Sequence, residues 1–344
     1  MNKSSLNILI TGGGAPGAEG IIRCLREIPH VHITACDKNS EAYGKYLADA
    51  FFVIPDADES TFIQSVLSIC KEMQIQIVLP LVTRELIYFS RALSLFENES
   101  VKVLVSNLTS LTIANDKGLL YQTLSENGMV SPDFKRVKDF QAMKTAIMQF
   151  GYPDKKVIVK PCVSNGLRGF RILDSNIDEL DLMLHYKPDA RYISLQRLED
   201  IFAHNAIPDY LVSEYLPGEE FTIDVLAQNG KVLQIIPRLR LETRGGISTR
   251  GEMIKHAEII HYVTQIIELL NLSWLVGVQV KKAVDGIFKI LEINPRVQGT
   301  TVACLGAGIN FPRLAVELAL YGAFEYKEPQ WGTKFFRHWN EVYY

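Results

Sequence analysis

The stretch Phe288-Lys-Ile-Leu-Glu-Ile-Asn-Pro-Arg296 decides how this chain is read. Phe288, Ile290, Leu291 and Ile293 are strand formers. Glu292 and Asn294 stand two apart, so on a strand both acceptor side chains point to one face. Upstream, the apolar run Val276-Gly-Val-Gln-Val280 places Gln279 on a second strand, and Asp285-Gly286 between the two reads as a hairpin turn. Gln279, Glu292 and Asn294 would then converge across an antiparallel pair. One carboxylate and two amide oxygens suit Mg²⁺, with Mn²⁺ as an alternative occupant; Mg²⁺ takes few ligands from protein and the rest from water and phosphate. Arg296, just beyond, is placed to meet a transferring phosphoryl group. The plainer reading is that Glu292 merely ends a strand, and the rest of the chain decides between the two.

A chain of 344 residues is too long for one typical core and suggests two or three lobes. Hydrophobic content of 47% and charged content of 22% fit an ordinary soluble protein. The net charge of -3 leaves no nucleic-acid footprint. No apolar run approaches the ~20 residues a membrane span needs, and no signal peptide precedes the first strand. The five cysteines are scattered, odd in number and without a C-x-x-C spacing. Disulfides and zinc are therefore not expected, and a reduced cytoplasm is the simplest setting.

Taken in order, Asn7 to Thr11, Val31 to Cys36, Ala50 to Ile54, Ile75 to Pro80 and Val101 to Val105 read as strands. Helical patterns lie between them, up to about Ile28, over Glu59 to Met73 and over Arg84 to Phe96. This alternation predicts a parallel, doubly wound α/β sheet over residues 1–107. Gly12, Gly14 and Gly17 match G-x-G-x-x-G, with Asp37 20 residues further on, the fingerprint of a dinucleotide site. The alternative is a tight turn whose glycines permit close packing. Glu19 would also set a carboxylate beside a bound pyrophosphate, and no second half resembles a dehydrogenase domain.

From residue 108 the pattern changes. Asn115 to Leu124 reads as a helix carrying Lys117. Val157 to Pro161 is a short strand carrying Lys160, followed by the polar loop Ser164-Asn-Gly-Leu-Arg-Gly169 and a strand over Phe170 to Leu173. Strand, glycine loop and strand can lay backbone N–H groups over phosphates; the bland alternative is a plain hairpin with a solvated lysine. Asp178 to Tyr210 reads as helical, broken near Pro188. Leu211 to Leu216 is a strand interrupted at Pro217-Gly218 and resumed over Glu219 to Leu226, with Asn229-Gly230 as a hairpin turn. Such an interruption can read an adenine edge, and Glu220 can take ribose hydroxyls; an ordinary meander is the alternative. Arg238, Arg240, Arg244 and Arg250 surround Gly245-Gly246. They form either a solvated face or a clamp for anionic groups, since guanidinium presents a planar donor fork.

Together these residues resemble the ATP-grasp superfamily, most closely single-module relatives of the carbamoyl-phosphate synthase large subunit. The elements follow the family's order along nearly the whole chain and end in L-E-I-N-P-R with an upstream V-Q-V. The resemblance implies a Rossmann-like lobe over 1–107 and an ATP-grasp fold over 108–330. Within that fold it implies a central flap lobe over about 115–212 and a metal lobe over about 213–330, with 331–344 as a C-terminal extension. It implies that Lys117 and Lys160 meet the nucleotide phosphates and that Ser164, Asn165, Gly166 and Gly169 form the flap. Ser213, Glu214, Tyr215 and Leu216 would form the adenine hinge, with Glu220 on the ribose. Gln279, Glu292 and Asn294 would be the metal ligands, Arg296 and Lys160 the catalytic residues, and Arg238, Arg240 and Arg244 the substrate clamp.

The first lobe of such enzymes usually helps to hold the acceptor, not NAD. The chain departs from carbamoyl-phosphate synthase in having one module, and Gly-Gly-Ile-Ser248-Thr where the family has a histidine near bicarbonate. The expectation is therefore an ATP- and Mg-dependent carboxylate–amine ligase of small molecules, with a homodimer compatible. The alternatives are an ATP-binding regulatory protein without turnover and an NAD(P)-dependent oxidoreductase built on the first lobe.

Overall fold

The computed structural model describes residues 6–164, 166–186, 191–203 and 205–344. The chain divides into two units: Met1–Thr112, Phe221–Gln279 and Ile293–Tyr344 form one, Ile113–Glu220 and Val280–Glu292 the other.

In the first unit, β1 (Leu6–Thr11), β2 (Val31–Asp37), β3 (Ala50–Val53), β4 (Ile77–Pro80) and β5 (Lys102–Val103) form a parallel sheet in the order β3-β2-β1-β4-β5. Alternate side chains enter opposite cores. Ile8 and Ile10 pack with Ile33, Ala35, Ile77 and Leu79, whereas Leu9 packs with Cys36 and Val78. Burial on both faces explains why these strands read as continuous apolar runs. The core around Ile8 also takes Leu226 and Ile236, and Phe311, Ala315 and Val316 from the helix Phe311–Tyr321. The alternation expected for this lobe is present. The helix expected over Arg84 to Phe96, however, is a 3₁₀ turn, Thr83–Glu85, and two short helices, Leu86–Arg91 and Leu93–Asn98. The break falls at Ala92, whose ψ of 9° leaves the helical region.

In the second unit, β6 (Phe134–Val137), β7 (Val157–Pro161), β8 (Arg171–Leu173), β9 (Tyr192–Ile193) and β10 (Tyr210–Glu214) order as β6-β10-β7-β8-β9. Val157, Val159, Tyr210 and Val212 face one core. Lys160 and Ser213, one position out of phase, lie on the other face. The helix carrying Lys117 runs Lys117–Glu126, not from Asn115, because the Asp116 side chain caps it by accepting from Leu119 N–H at 3.0 Å. The span read as helical from Asp178 holds helices Glu179–His185 and Leu195–Phe202 with β9 between them. A two-residue strand leaves too little alternation to be seen in sequence.

The third sheet comprises β11 (Glu220–Gln228), β12 (Lys231–Arg244), β13 (Ile247–Met253), β14 (Trp274–Lys282), β15 (Phe288–Asn294) and β16 (Lys334–Phe336), in the order β15-β14-β11-β12-β13-β16. The division between units passes along β14 after Gln279 and along β15 after Glu292. Asn229 and Gly230 join β11 to β12 with φ of 49° and 77°, the signs that a two-residue hairpin turn of type I′ needs. No single described helix is long and apolar enough to cross a membrane.

Candidate active site

Two buried lysines organise the second unit. Lys117 opens its helix at 5% exposure, and Lys160 sits near the end of β7 at 7%. Lys117 Nζ lies 3.6 Å from Glu292 Oε2 and donates to the Ser164 carbonyl at 3.0 Å. Lys160 Nζ donates to Tyr121 Oη at 3.0 Å and to the Leu291 carbonyl at 3.3 Å. Burial lowers the pKa of both ammonium groups, against the opposing pull of Glu292, and brings Lys160 to about 8. Lysines at 117 and 160 and the carboxylate at 292, singled out far apart in sequence, thus meet in one unit.

Between β7 and β8, Gly169 has a φ of +75°, and a Cβ there would stand 2.5 Å from Pro161 Cγ, so only glycine fits. Ser164 and Gly166 lie in the same loop; Asn165 lies outside the described residues. Ser213 is on an interior strand, paired with Phe134 and Ile158, so its backbone groups serve the ladder and are not free to read a base. One oxygen of the Glu214 carboxylate, Oε1, accepts from Asp133 N–H at 2.8 Å and Lys289 Nζ at 2.6 Å. The usable interruption begins after β10, at Tyr215 and Leu216. Lys156 and Lys281 bracket the Tyr215 ring, each Nζ within 6 Å of its centroid (5.6 and 5.7 Å). Lys281 also stands 3.8 Å from Glu220.

The arginine segment in the first unit departs from expectation. Arg238, read as part of a substrate clamp, is 1% exposed. Its Nε donates to Asp224 Oδ2 at 2.5 Å and its Nη2 to Thr300 Oγ1 at 3.0 Å. Asp224 Oδ1 also accepts from Thr301 Oγ1 at 2.5 Å and from Gln298 Nε2 at 3.4 Å. Arg238 therefore holds the segment that follows Arg296, not a ligand. Arg240 donates to the Gly246 carbonyl at 2.6 Å and to Gln279 Oε1 at 3.3 Å. The Gln279 oxygen expected on a metal thus faces a guanidinium. Arg244, the last residue of β12, is exposed.

Arg296 Nε donates to Thr83 Oγ1 at 3.0 Å, and Nη1 to the Val297 carbonyl at 2.8 Å. The glycine fingerprint lies beside this segment. A Cβ on Gly17 would stand 2.2 Å from Gly299 Cα, and one on Gly20 2.8 Å from Val302. The two Asp37 oxygens accept from Gly14 N–H at 2.8 Å and Asn39 N–H at 2.9 Å. The fingerprint positions are thus occupied by packing and internal hydrogen bonds. Below the loop, Glu85 is buried against the Thr11 hydroxyl, and burial raises its carboxyl to about 8. Sequence reasoning passed over Asp224 and Glu85. Counting outward from the Asn229-Gly230 turn would have set Arg238 opposite Phe221; the register shift between Leu226 and Ala227 is what brings Asp224 diagonal to it.

Residues 206–338 match the family described as ATP-grasp in the biosynthetic pathway with Ter operon, and residues 8–104 match the PylC-like N-terminal domain. The stretch 206–338 is therefore ATP-grasp-like in sequence. The fold of this chain recurs in solved structures at low sequence identity. An N5-carboxyaminoimidazole synthetase from Staphylococcus aureus complexed with ADP is 16% identical, with 96% of this chain and 82% of that one covered and a TM-score of 0.68. An L-amino acid ligase from Bacillus licheniformis is 16% identical over 92% and 74%, with a TM-score of 0.66. The biotin carboxylase domain dimer of the Hydrogenobacter thermophilus 2-oxoglutarate carboxylase, in complex with MgADP, ADP and bicarbonate, is 16% identical over 95% and 72%, with a TM-score of 0.65.

Proposed function

We propose that this chain is an ATP-grasp enzyme, an ATP- and Mg-dependent ligase that activates a small-molecule carboxylate as an acyl phosphate for attack by an amine or similar nucleophile. The observation that carries the reading is the pair Lys117 and Lys160. Two buried ammonium groups lie in the field of Glu292, with Glu220 acting more weakly on Lys160, and burial lowers the pKa of both, so their charge is incompletely compensated. Buried charge is costly unless it is paired, and phosphate oxygens are the complementary partner.

Within this reading, Lys117 and Lys160 hold the phosphates, the loop from Ser164 to Gly169 covers them, and Tyr215 and Leu216 offer backbone to the base. Glu220 takes the ribose hydroxyls. Glu292 and Asn294 would be the residues to offer oxygens to a hard divalent cation, which would supply charge neutralisation at the phosphate oxygens. Gln279 joins them only by giving up Arg240. A carboxylate oxygen of the acceptor bonds to the γ-phosphorus as the bond to the ADP oxygen breaks. The nucleophile's nitrogen then bonds to the acyl carbon, phosphate leaves, and the nitrogen's proton passes to solvent. Lys160 and Arg296 supply fixed positive charge, so the protein's part is positioning and electrostatics.

The likeness to ligase structures supports this reading, and five free, buried cysteines are compatible with a cytoplasmic setting. The test is Mg-ATP titration joined to phosphate release against amino acids, hydroxy acids and short peptides. ATP binding with acceptor-dependent phosphate release is expected. ATP binding with no release for any acceptor would favour a regulatory protein, and NAD binding without ATP binding an oxidoreductase.

A further inference from the structure

One buried phenol stands between the elements that carry the two lysines and the carboxylate. Tyr121 lies one turn after Lys117 on the helix Lys117–Glu126, so both side chains leave the same face. It is fully buried, and its ring packs edge-on against Phe134 of β6 at a centroid distance of 5.5 Å. Its hydroxyl donates to the Leu291 carbonyl at 2.9 Å and accepts from Lys160 Nζ at 3.0 Å. Lys160 Nζ also donates to that same carbonyl at 3.3 Å. The helix, β7 and β15 are thus joined one position before Glu292, and all of these residues belong to the second unit.

The contact between Tyr121 and Lys160 is a directed hydrogen bond. Lys160 Nζ lies 5.3 Å from the ring centroid but 3.0 Å from the phenol oxygen, so the ammonium sits beyond the hydroxyl and not over the ring face. A phenol has one O–H; because Leu291 takes it, the oxygen can present only lone pairs to Lys160. Burial raises the pKa of the phenol, and Glu292 and Glu214 add to the rise, so the group stays a neutral dipole. The ammonium has three donors, and among the described residues its hydrogen-bond partners are the Tyr121 oxygen and the Leu291 carbonyl. With those two donors committed, the direction of the third follows from the tetrahedral geometry of the ammonium. A lysine side chain loses much rotamer freedom when it is fixed. Here two uncharged oxygens fix it, and neither neutralises the charge that a phosphate would meet.

We infer that Tyr121 is a positioning residue: its hydroxyl, oriented by the Leu291 carbonyl, holds the Lys160 ammonium in the direction that meets the nucleotide phosphates. This rests on the ligase reading as far as its nucleotide site and needs no ligation step. The experiment compares wild type, Tyr121→Phe, Lys160→Met, Lys117→Met and the two double variants that add Tyr121→Phe to each lysine change. Mg-ATP affinity is read by calorimetry and, where weak, by thermal stabilisation. Melting of each protein alone is recorded, and phosphate release against small-molecule acids is read in parallel. Tyr121→Phe keeps the ring against Phe134 and leaves the Leu291 carbonyl its bond from Lys160, so the fold is retained.

The expected result is Mg-ATP binding about 3- to 30-fold weaker in Tyr121→Phe, because binding must then fix a lysine that is no longer held. Melting should stay within about 3 °C of wild type. In the Lys160→Met background the same change should alter affinity less than about twofold, since the residue that Tyr121 positions is gone. In the Lys117→Met background the loss should persist. Mg-ATP affinity in Tyr121→Phe equal to wild type would overturn the inference. So would a loss of equal size in all three backgrounds, which marks a purely structural role. Mg-ATP binding that no acid converts into phosphate release counts against the ligase reading alone, and a wild type that binds no Mg-ATP removes both.

Discussion

Arg238→Met should destabilise the first unit strongly without acting through a ligand. The substitution keeps an apolar stem near the Phe335 ring, which lies 5.8 Å from the guanidinium carbon. It leaves the Asp224 carboxylate with neutral donors, Thr301, Gln298 and Cys304, but without the guanidinium at 2.5 Å. Removing one partner of a buried ion pair costs about 3–5 kcal/mol. At about 2–4 °C per kcal/mol for a unit of this size, melting should fall by roughly 10 °C. Adding Asp224→Asn removes the stranded charge and should restore about half of the loss, because neighbours in one network are not additive. The assay is thermal unfolding of the two single variants and the double variant, followed by near-UV circular dichroism. A single variant that melts within about 2 °C of wild type, with a raised acceptor KM, would refute this reasoning and return Arg238 to the substrate clamp.

Glu292→Gln should reduce phosphate release by at least about 100-fold while ATP still binds through Lys117 and Lys160; titration and turnover on the same preparation check this. Burial brings the Lys160 ammonium to about 8, and a bound phosphate would hold it protonated, so binding takes up a proton above that pH. ATP affinity should therefore fall as pH rises from about 8, by up to about tenfold per unit, with a slope that Lys160→Met removes in calorimetry. Glu85 has its pKa raised from 4.5 to about 8. Its folded form binds the proton more tightly than the unfolded chain, so its contribution is full below about 4.5 and is lost as pH rises through about 8. Urea midpoints of Glu85→Gln should lack that component of the decline.

The parallel lobe was legible because its strands are buried on both faces and its connections follow a regular rhythm. The pair of lysines and the carboxylate was legible because each sits on an element with a clear signal: a capped helix, a β-branched strand, and a strand ending in acceptors. Arg238 was misread for a physical reason. Its spacing from Arg240 fixes a shared face, but spacing along one strand does not show which residue of the neighbouring strand stands beside it. Thr222 pairs with Arg238, so Asp224 is its diagonal neighbour. The register shift between Leu226 and Ala227 further obscures this in sequence. Gly17 carried the opposite lesson. Its motif invites a pyrophosphate, yet the atom nearest its missing side chain belongs to Gly299, which no local pattern can reveal.

The shared core of the first unit has a consequence for the order in which the chain matures. Ile8 and Ile10 lie in one cluster with Phe311, Ala315 and Val316, some three hundred positions later in sequence. The opposite face of the same sheet, around Leu9 and Val78, is closed by nearby segments such as Phe62, Phe89 and Phe96. During synthesis one side of the sheet can therefore be sheltered early, while the other stays wet until the distant helix arrives. Long-range closure of this kind is slow, and the waiting apolar surface is open to aggregation. A fragment ending near Thr112 would keep its pleated framework and one finished face, yet it would be sticky. Holding chaperones would be drawn to that unfinished side, and yields in a heterologous host would depend on them.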